Sequence, residues 1–295
     1  MIGYRYRAVG NGVMINDLKD FDLDQTLLCG QCFRWTKEVD GSFTGVAFSS
    51  VINIKKTNYE EFYLDNTNIE DFENIWIDYF DLNRDYSIIK KKLFENDQTD
   101  EEIMKKAVEF GAGIRLLNQE SWELLISYII SANNSIPNIS RTILKLSETY
   151  GDKLVYNGKT YFSFPKPMDL LNETKESLLV CKAGFRCKYI VAAVIMIISD
   201  EINLANIGKL SYHEAKKTLM KIPGVGPKVS DCILLFSMRK HEAYPVDVWI
   251  KRVTEKYFLK SETKSSEISE FASKYFGDIA GFAQEYLFYY IRENN

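Results

Sequence analysis

Ile222-Pro223-Gly224-Val225-Gly226-Pro227-Lys228-Val229-Ser230-Asp231-Cys232 is the stretch that decides how this 295-residue chain folds. Upstream of it, Ser211-Tyr212-His213-Glu214 has the form of a capping box, with Ser211 as N-cap and Glu214 three residues on. Ala215, Leu219 and Ile222 then fall at helical spacing. Pro223-Gly224 stops that helix, and two glycines give the backbone freedom for a tight turn. Pro227 suits the first position of a new helix, where its missing N–H has no intrahelical partner. Val229, Cys232, Ile233 and Phe236 carry on with a helical period. The expectation is helix, four-residue hairpin, helix, with Lys228 in the first turn of the second helix.

Free N–H groups at such a hairpin make a concave anion site that can hold a phosphate without a basic side chain. The positive end of the helix dipole also disfavours the ammonium form of Lys228 and makes its amine a better nucleophile. The plain alternative is a connector with a solvated lysine. A nucleotide P-loop is excluded: it requires Gly, four residues, Gly, Lys, then Ser or Thr after a strand. Here Val229 follows the lysine and a helix precedes the turn.

Working outward, Pro245-Val246-Asp247-Val248-Trp249 begins seventeen residues beyond Lys228. Pro245 forces an extended approach, and Asp247 suits the N-cap of a helix over 248–257. The capping role needs no chemistry, yet the same carboxylate would set negative charge opposite Lys228. On the other side, Cys181-Lys182-Ala183-Gly184-Phe185-Arg186 reads as an exposed turn before an apolar helix. Its Phe-Arg tip is either an apolar wedge with a hydrogen-bonding fork or a half-buried Phe185 beside a solvated Arg186. Ser121 opens a strongly apolar helix that ends at Ser131-Ala132-Asn133-Asn134-Ser135. The two asparagines are a stop signal or amides able to reach into a duplex. Near the C-terminal end, 279–291 reads as an aromatic-rich helix. Gln284 and Phe288, four apart, share a face of it: either core, or a ring to stack a base beside an amide to read its edge.

Residues 1 to about 65 read as short strands and turns, with a turn at Gly41-Ser42 between 32–36 and 43–48. From Ile69 the period becomes helical. The expected architecture is α+β: an N-terminal antiparallel sheet domain with helices over 1–113, followed by a mostly helical helix-hairpin-helix domain over 114–295.

Apolar content of 46% and charged content of 26% are those of a globular protein. The net charge of −4 is unevenly distributed. Residues 60–102 hold fourteen acidic and four basic side chains, whereas 209–260 hold eleven basic and five acidic. An acidic flank beside a basic working face follows. The N-terminus has no signal-peptide apolar region, so an intracellular protein is expected. The apolar run 190–198 is too short to span a bilayer, so no membrane partner is expected. Five cysteines, 29, 32, 181, 187 and 232, are expected to be free thiols. Cys29 and Cys32 flank Gly-Gln in a strand-like context and the second pair lacks knuckle spacing, so no metal site is expected. With only His213 and His241, a histidine triad is also not expected.

Together these stretches resemble the 8-oxoguanine DNA glycosylase/AP lyase family of the helix-hairpin-helix superfamily. The landmarks are Gly30-Gln31-Cys32-Phe33-Arg34-Trp35, Gly113-Ile114-Arg115-Leu116-Leu117, Ser131-Ala132-Asn133-Asn134, 222–232, Pro245-Val246-Asp247-Val248 and Gly281-Phe282-Ala283-Gln284. Hairpin and aspartate mark the superfamily; the N-terminal Gly-Gln-x-Phe-Arg-Trp run marks the subfamily. The resemblance implies that Lys228 attacks C1′ of a flipped nucleotide and forms a Schiff base, and that Asp247 stabilises the cationic sugar. It implies that the Gly30 carbonyl accepts N7–H of 8-oxoguanine, that Cys232 and Phe288 sandwich the base, and that Gln284 reads its Watson–Crick edge. Asn133 would fill the vacated stack with Asn134 alongside. Phe185 and Arg186 would act on the opposite strand, and Gly224 and Gly226 on a phosphate. No cofactor is required, although a monovalent cation at the hairpin backbone is implied, and the protein would work as a monomer on duplex DNA containing 8-oxoguanine. A prokaryotic protein of this kind would be cytoplasmic and nucleoid-associated. Two positions depart from the family: Asn138 stands where an arginine often contacts the orphaned cytosine, and Trp249 where a histidine is common. The first implies relaxed opposite-base preference; the second alters a phosphate or pocket contact. The competing expectations are a glycosylase for other oxidised or alkylated bases and a non-catalytic hairpin module on duplex backbone.

Overall fold

The computed structural model describes residues 3–99 and 101–294. Strands β1 (Arg5–Val9) and β2 (Gly12–Asn16) precede helix α1 (Leu23–Leu28). Then come β3 (Trp35–Lys37), β4 (Phe43–Ala47), β5 (Ser50–Asn58) and β6 (Glu61–Asp65). All six strands join one antiparallel sheet in the order β1-β2-β6-β5-β4-β3. Alternation drives it: Val13 and Ile15, Ile52 and Ile54, Phe62 and Leu64 all point to one fully buried face. That face is covered by α2 (Ile69–Asp71), which passes through a π-helical turn at Phe72–Trp76 into α3 (Ile77–Tyr79). Phe72, Trp76, Tyr79 and Phe80 fill the gap, and Trp35 donates its indole N–H to the Tyr79 hydroxyl at 2.7 Å.

The rest is helical apart from the hairpin β7 (Lys153–Tyr156) and β8 (Lys159–Phe162). Helices α4 (Tyr86–Glu95), α5 (Ile103–Phe110), α6 (Ser121–Ser131) and α7 (Ile136–Tyr150) precede that hairpin. After it come α8 (Cys187–Ile198), α9 (Leu204–Ile207), α10 (Tyr212–Leu219), α11 (Pro227–Ser237) and α12 (Val248–Val253). Helices α13 (Ser265–Phe276) and α14 (Ala280–Glu293) finish the chain. Helix α6, buried along nearly its whole length, is central to the second core.

Several expectations change in detail. The segment before Cys29 is a helix, not strand-like: Asp22 caps it by accepting Gln25 N–H at 2.9 Å. Cys29 and Cys32 sit on the loop that follows, and their thiols donate to the Thr26 and Leu27 carbonyls. Helix α6 opens at Ser121 as expected, with Glu120 as its N-cap. The helix after Asp247 is α-helical only to Val253 and continues as a π turn over Thr254–Leu259.

The sheet and helical parts are tied by buried polar residues of two sequence landmarks. Gln31 donates to the Thr26 and Arg115 carbonyls and accepts Leu117 N–H at 2.8 Å. Arg115 donates to the Asp81 and Lys19 carbonyls and stacks on Tyr86. Arg34 pairs with Glu123 at 3.1 Å and also donates to the Phe162 carbonyl. These residues explain their sequence run by architecture: they hold the loop 29–34 against α6 and so place Gly30.

Candidate active site

The capping box of α10 is present, and Ala215 and Leu219 bury its inner face. The helix ends earlier than expected, at Leu219, so seven residues rather than four separate it from α11. Ile222 lies in the turn, with its N–H on the Leu219 carbonyl at 3.0 Å. A buried pair joins the two helices: Lys216 meets Asp231 at 2.7 Å, and the Tyr212 hydroxyl donates to the same carboxylate at 2.8 Å. Burial pushes the Asp231 carboxyl up, while Lys216 and Tyr212 pull it back down.

Gly224 takes φ +88°, and a Cβ there would stand 2.6 Å from the Tyr189 ring. Gly226 differs from expectation. Its φ of −94° is ordinary and space around it is open, so its bareness leaves an accessible backbone rather than permitting the turn. Gly226 is the N-cap of α11 and Pro227 its first residue, as the sequence implied. The first N–H groups of α11 have no intrahelical partner and can meet an anion; Lys217 of α10 and Lys221 of the turn are exposed.

Lys228 is the second residue of α11. Its ammonium lies over the Tyr128 ring, 5.0 Å from the centroid, and that ring stacks on Phe236. One turn on, Cys232 is buried and its thiol is pushed up to about 11, mainly by burial, with Lys228 acting against the shift. Asp247 caps α12, accepting Ile250 N–H at 2.8 Å. Desolvation raises its carboxyl, opposed by that N–H and by Lys228.

A cavity of about 310 Å³ gathers these groups with residues from both ends of the chain. Its walls include Gly30, Tyr128, Lys228, Cys232, Asp247, Trp249, Gln284 and Phe288. Gly30 takes φ +109°, and a Cβ there would come within 3.0 Å of the Arg292 guanidinium and 3.3 Å of the Phe288 ring. Arg292 clasps the loop by donating to the Leu28 and Cys29 carbonyls, and it stacks on Phe288. The sequence reading omitted Arg292, Tyr128 and Glu285. Glu285 is almost completely buried in the cavity wall, and burial pushes its carboxyl up to about 7. A charged residue in the otherwise buried run 280–287 was the signal available for it.

The remaining candidates lie on the rim. Asn133 is exposed with φ +51°. Asn134 lines the cavity, and its amide donates to the Ile130 carbonyl at 3.1 Å, so it does act as a helix stop. The Phe185-Arg186 tip reverses the bland expectation. Phe185 is 54% exposed, whereas Arg186 is buried. Its guanidinium donates to the carbonyls of Ala132, at 2.8 Å from Nε, and Asn133, at 2.8 Å from Nη2. In this state Arg186 is not a solvated fork; it braces the Asn133 turn, because the end of α6 leaves those carbonyls without helical partners. Asn138 is exposed and accepts from Arg141, one turn along α7.

Among the described residues, no group of three His, Cys, Asp or Glu is placed to hold a metal, and all five cysteines are free and buried. Among the described residues no helix is long and apolar enough to cross a membrane.

Two family models cover most of the chain. The N-terminal domain of 8-oxoguanine DNA glycosylase matches residues 13–125, and the HhH-GPD superfamily of base excision DNA repair proteins matches 126–277. A probable N-glycosylase/DNA lyase from Methanothermobacter thermautotrophicus is 29% identical, covering 93% of this chain and 95% of that protein. Two solved structures are more similar in sequence. The Clostridium acetobutylicum 8-oxoguanine glycosylase/lyase, solved with duplex DNA carrying cytosine opposite 8-oxoguanine, is 42% identical over the whole of both chains, with a TM-score of 0.96. MBOgg1, solved with a low-affinity DNA ligand, is 46% identical over 99% of both chains, with a TM-score of 0.95.

Proposed function

This chain belongs to the 8-oxoguanine DNA glycosylase family of the helix-hairpin-helix superfamily, and from that premise we propose how its residues divide the work. It is a base-excision repair enzyme, a DNA glycosylase with associated lyase activity on 8-oxoguanine. The observation that carries this division is one cavity, large enough for a purine, whose walls include a lysine at a helix start, a desolvated carboxylate and an open glycine backbone.

The Lys228 amine attacks C1′ of the extruded nucleotide. The C1′–N9 bond breaks, and its electron pair leaves with the base, which takes up a proton. Positive charge builds on the sugar, and Asp247, desolvated beside it, stabilises that charge more strongly than it would in water. The amine gives up one proton. Its lone pair then forms C1′=N as the C1′–O4′ bond breaks and O4′ takes up a proton, leaving a protonated Schiff base between Nζ and C1′. This acts as an electron sink: loss of a C2′ proton expels the 3′ phosphate, and the strand is cut. The open hairpin N–H groups grip a phosphate, while Phe185 wedges the duplex and Asn133 enters the vacated stack with Asn134 behind it. Phe288 and Cys232 take the two faces of the base and Gln284 its Watson–Crick edge. The Gly30 carbonyl accepts N7–H. Guanine presents an acceptor there, and a buried acceptor facing an acceptor costs about 1–3 kcal/mol. Trp249 bounds the mouth where relatives often carry a histidine.

The test is borohydride trapping on an 8-oxoguanine duplex. A covalent adduct forms with the wild type and is lost in Lys228→Gln. Absence of both adduct and base release defeats the enzyme reading, while activity only on other lesions moves the substrate to another damaged base. With Asn138 in place of an arginine, excision is expected to differ by less than about tenfold among the four opposite bases. A strong preference for cytosine contradicts this.

The reaction needs no cofactor. A monovalent cation on the uncharged carbonyl oxygens of 221–226 suits a hard-ion donor set and would reinforce the phosphate grip, but no step depends on it. We also propose a monomeric, intracellular protein, in keeping with free buried thiols.

A further inference from the structure

Two adjacent side chains of α14 reach the cavity wall with an oxygen unanswered. Gln284 Oε1 and Glu285 Oε1 are buried and have no hydrogen-bond partner among the described residues. Gln284 already has a role above. Glu285 has none, although it is 3% exposed. Its carboxyl lies within hydrogen-bonding reach of the Cys29 thiol, and Cys29 directly precedes Gly30. The group is therefore held between the residue that meets N7–H and the residue that meets the Watson–Crick edge. In a guanine-type base the atom between N7 and N1 is O6, a carbonyl acceptor.

We infer that Glu285 is a further base-contacting residue, its unanswered carboxyl oxygen meeting O6 of the extruded 8-oxoguanine between the Gly30 and Gln284 contacts. This rests on the base-pocket reading above. A carboxyl facing a carbonyl must carry the proton and donate it; the ionised form would set acceptor against acceptor. The surroundings favour the protonated form. Burial above all, with Asp247 at the start of α12 in support, holds the Glu285 carboxyl up at about 7. Lys228 of α11, Arg292 of α14 and the Cys29 thiol of the loop act the other way. Cys32 of the loop, Cys232 of α11 and Tyr128 of α6 face the same space, and burial raises all three, keeping them neutral around neutral pH.

The experiment is single-turnover excision from an 8-oxoguanine duplex between pH 6 and 8.5, separating half-saturation from rate constant. A duplex with a baseless tetrahydrofuran site serves as reference. If only the protonated form binds the base, wild-type half-saturation rises about thirtyfold across that range as the competent fraction falls. In Glu285→Gln, whose amide donates at every pH, that rise disappears, and affinity for the tetrahydrofuran duplex matches wild type throughout. Loss of the tetrahydrofuran affinity would mark a folding defect, and Glu285→Asn then repeats the comparison. Equal pH slopes in wild type and variant overturn the inference. So does wild-type affinity that tightens as pH rises, which would mark an ionised acceptor, and so does an effect on the rate constant alone. A wild type with no action on 8-oxoguanine removes the underlying reading instead.

Discussion

Gly224 and Gly30 are both left-handed glycines whose missing Cβ leaves room for an aromatic ring, Tyr189 in one case and Phe288 in the other. They differ in how far the chain travels to build each setting. The setting of Gly224 is assembled within about forty residues, from Tyr189 through a capping box and a proline start to one buried ion pair at Asp231. The pocket around Gly30 needs Arg292, 263 residues from the carbonyl of Cys29 that it holds. On the division of roles proposed above, the first region grips any duplex and carries the nucleophile, and the second chooses a base. Chemistry here is local and selectivity is long-range.

The comparison can be broken at four points. The largest effect is expected in the hairpin. Lys216→Met leaves the buried Asp231 unpaired, and losing one partner of such a pair costs about 3–5 kcal/mol, read as a lower urea midpoint at constant slope. An unchanged midpoint would show that α10 and α11 are held by apolar packing alone. Next is Glu285, on the pocket side. Between its ordinary value of 4.5 and about 7 the unfolded chain holds fewer protons than the folded one, so stability falls as pH rises through that window. The difference corresponds to ~3 kcal/mol. Glu285→Gln is expected to gain on wild type by that order in urea unfolding at pH 8 and to match it at pH 4.5; parallel stabilities at the two pH values would refute this.

The glycines themselves come third and fourth. Gly224→Ala meets Tyr189 and a left-handed φ, strain of about 2 kcal/mol, and should weaken binding to damaged, undamaged and baseless duplexes alike by roughly thirtyfold. Gly30→Ala carries ~1–2 kcal/mol of similar strain, with the flexible Arg292 able to yield. It should slow 8-oxoguanine excision about tenfold while cleavage at a preformed abasic site stays near wild type. If Gly30→Ala impaired both activities equally, the separation of grip from choice would be false.

Legibility in the sequence follows the same division. The capping box, Pro227 at the helix start and Asp247 as a cap are local signals, and the structure contains each of them. The six-stranded sheet was foreshadowed by alternation, but α1 was not, because six residues hold too few turns to separate a helical period from a strand. The true end of α10 was missed by three residues for a related reason: Ile222 keeps the helical spacing while lying in the turn. Arg186 was misjudged because its burial depends on the unpaired carbonyls at the end of α6, which no pattern near residue 186 reveals. Glu285 and Arg292 were overlooked because their partners lie at the other end of the chain.

The Arg292 clasp also has a temporal meaning. On the ribosome, Lys228 and its hairpin are made 64 residues before Arg292. The hairpin and Lys228 are therefore synthesised before the pocket wall that Arg292 holds in place. On the proposed roles, the α14 residues that would choose the base are the last of the pocket to be synthesised. Since α14 packs into the same core as α11, the helix that would screen bases also seals the helix that carries Lys228.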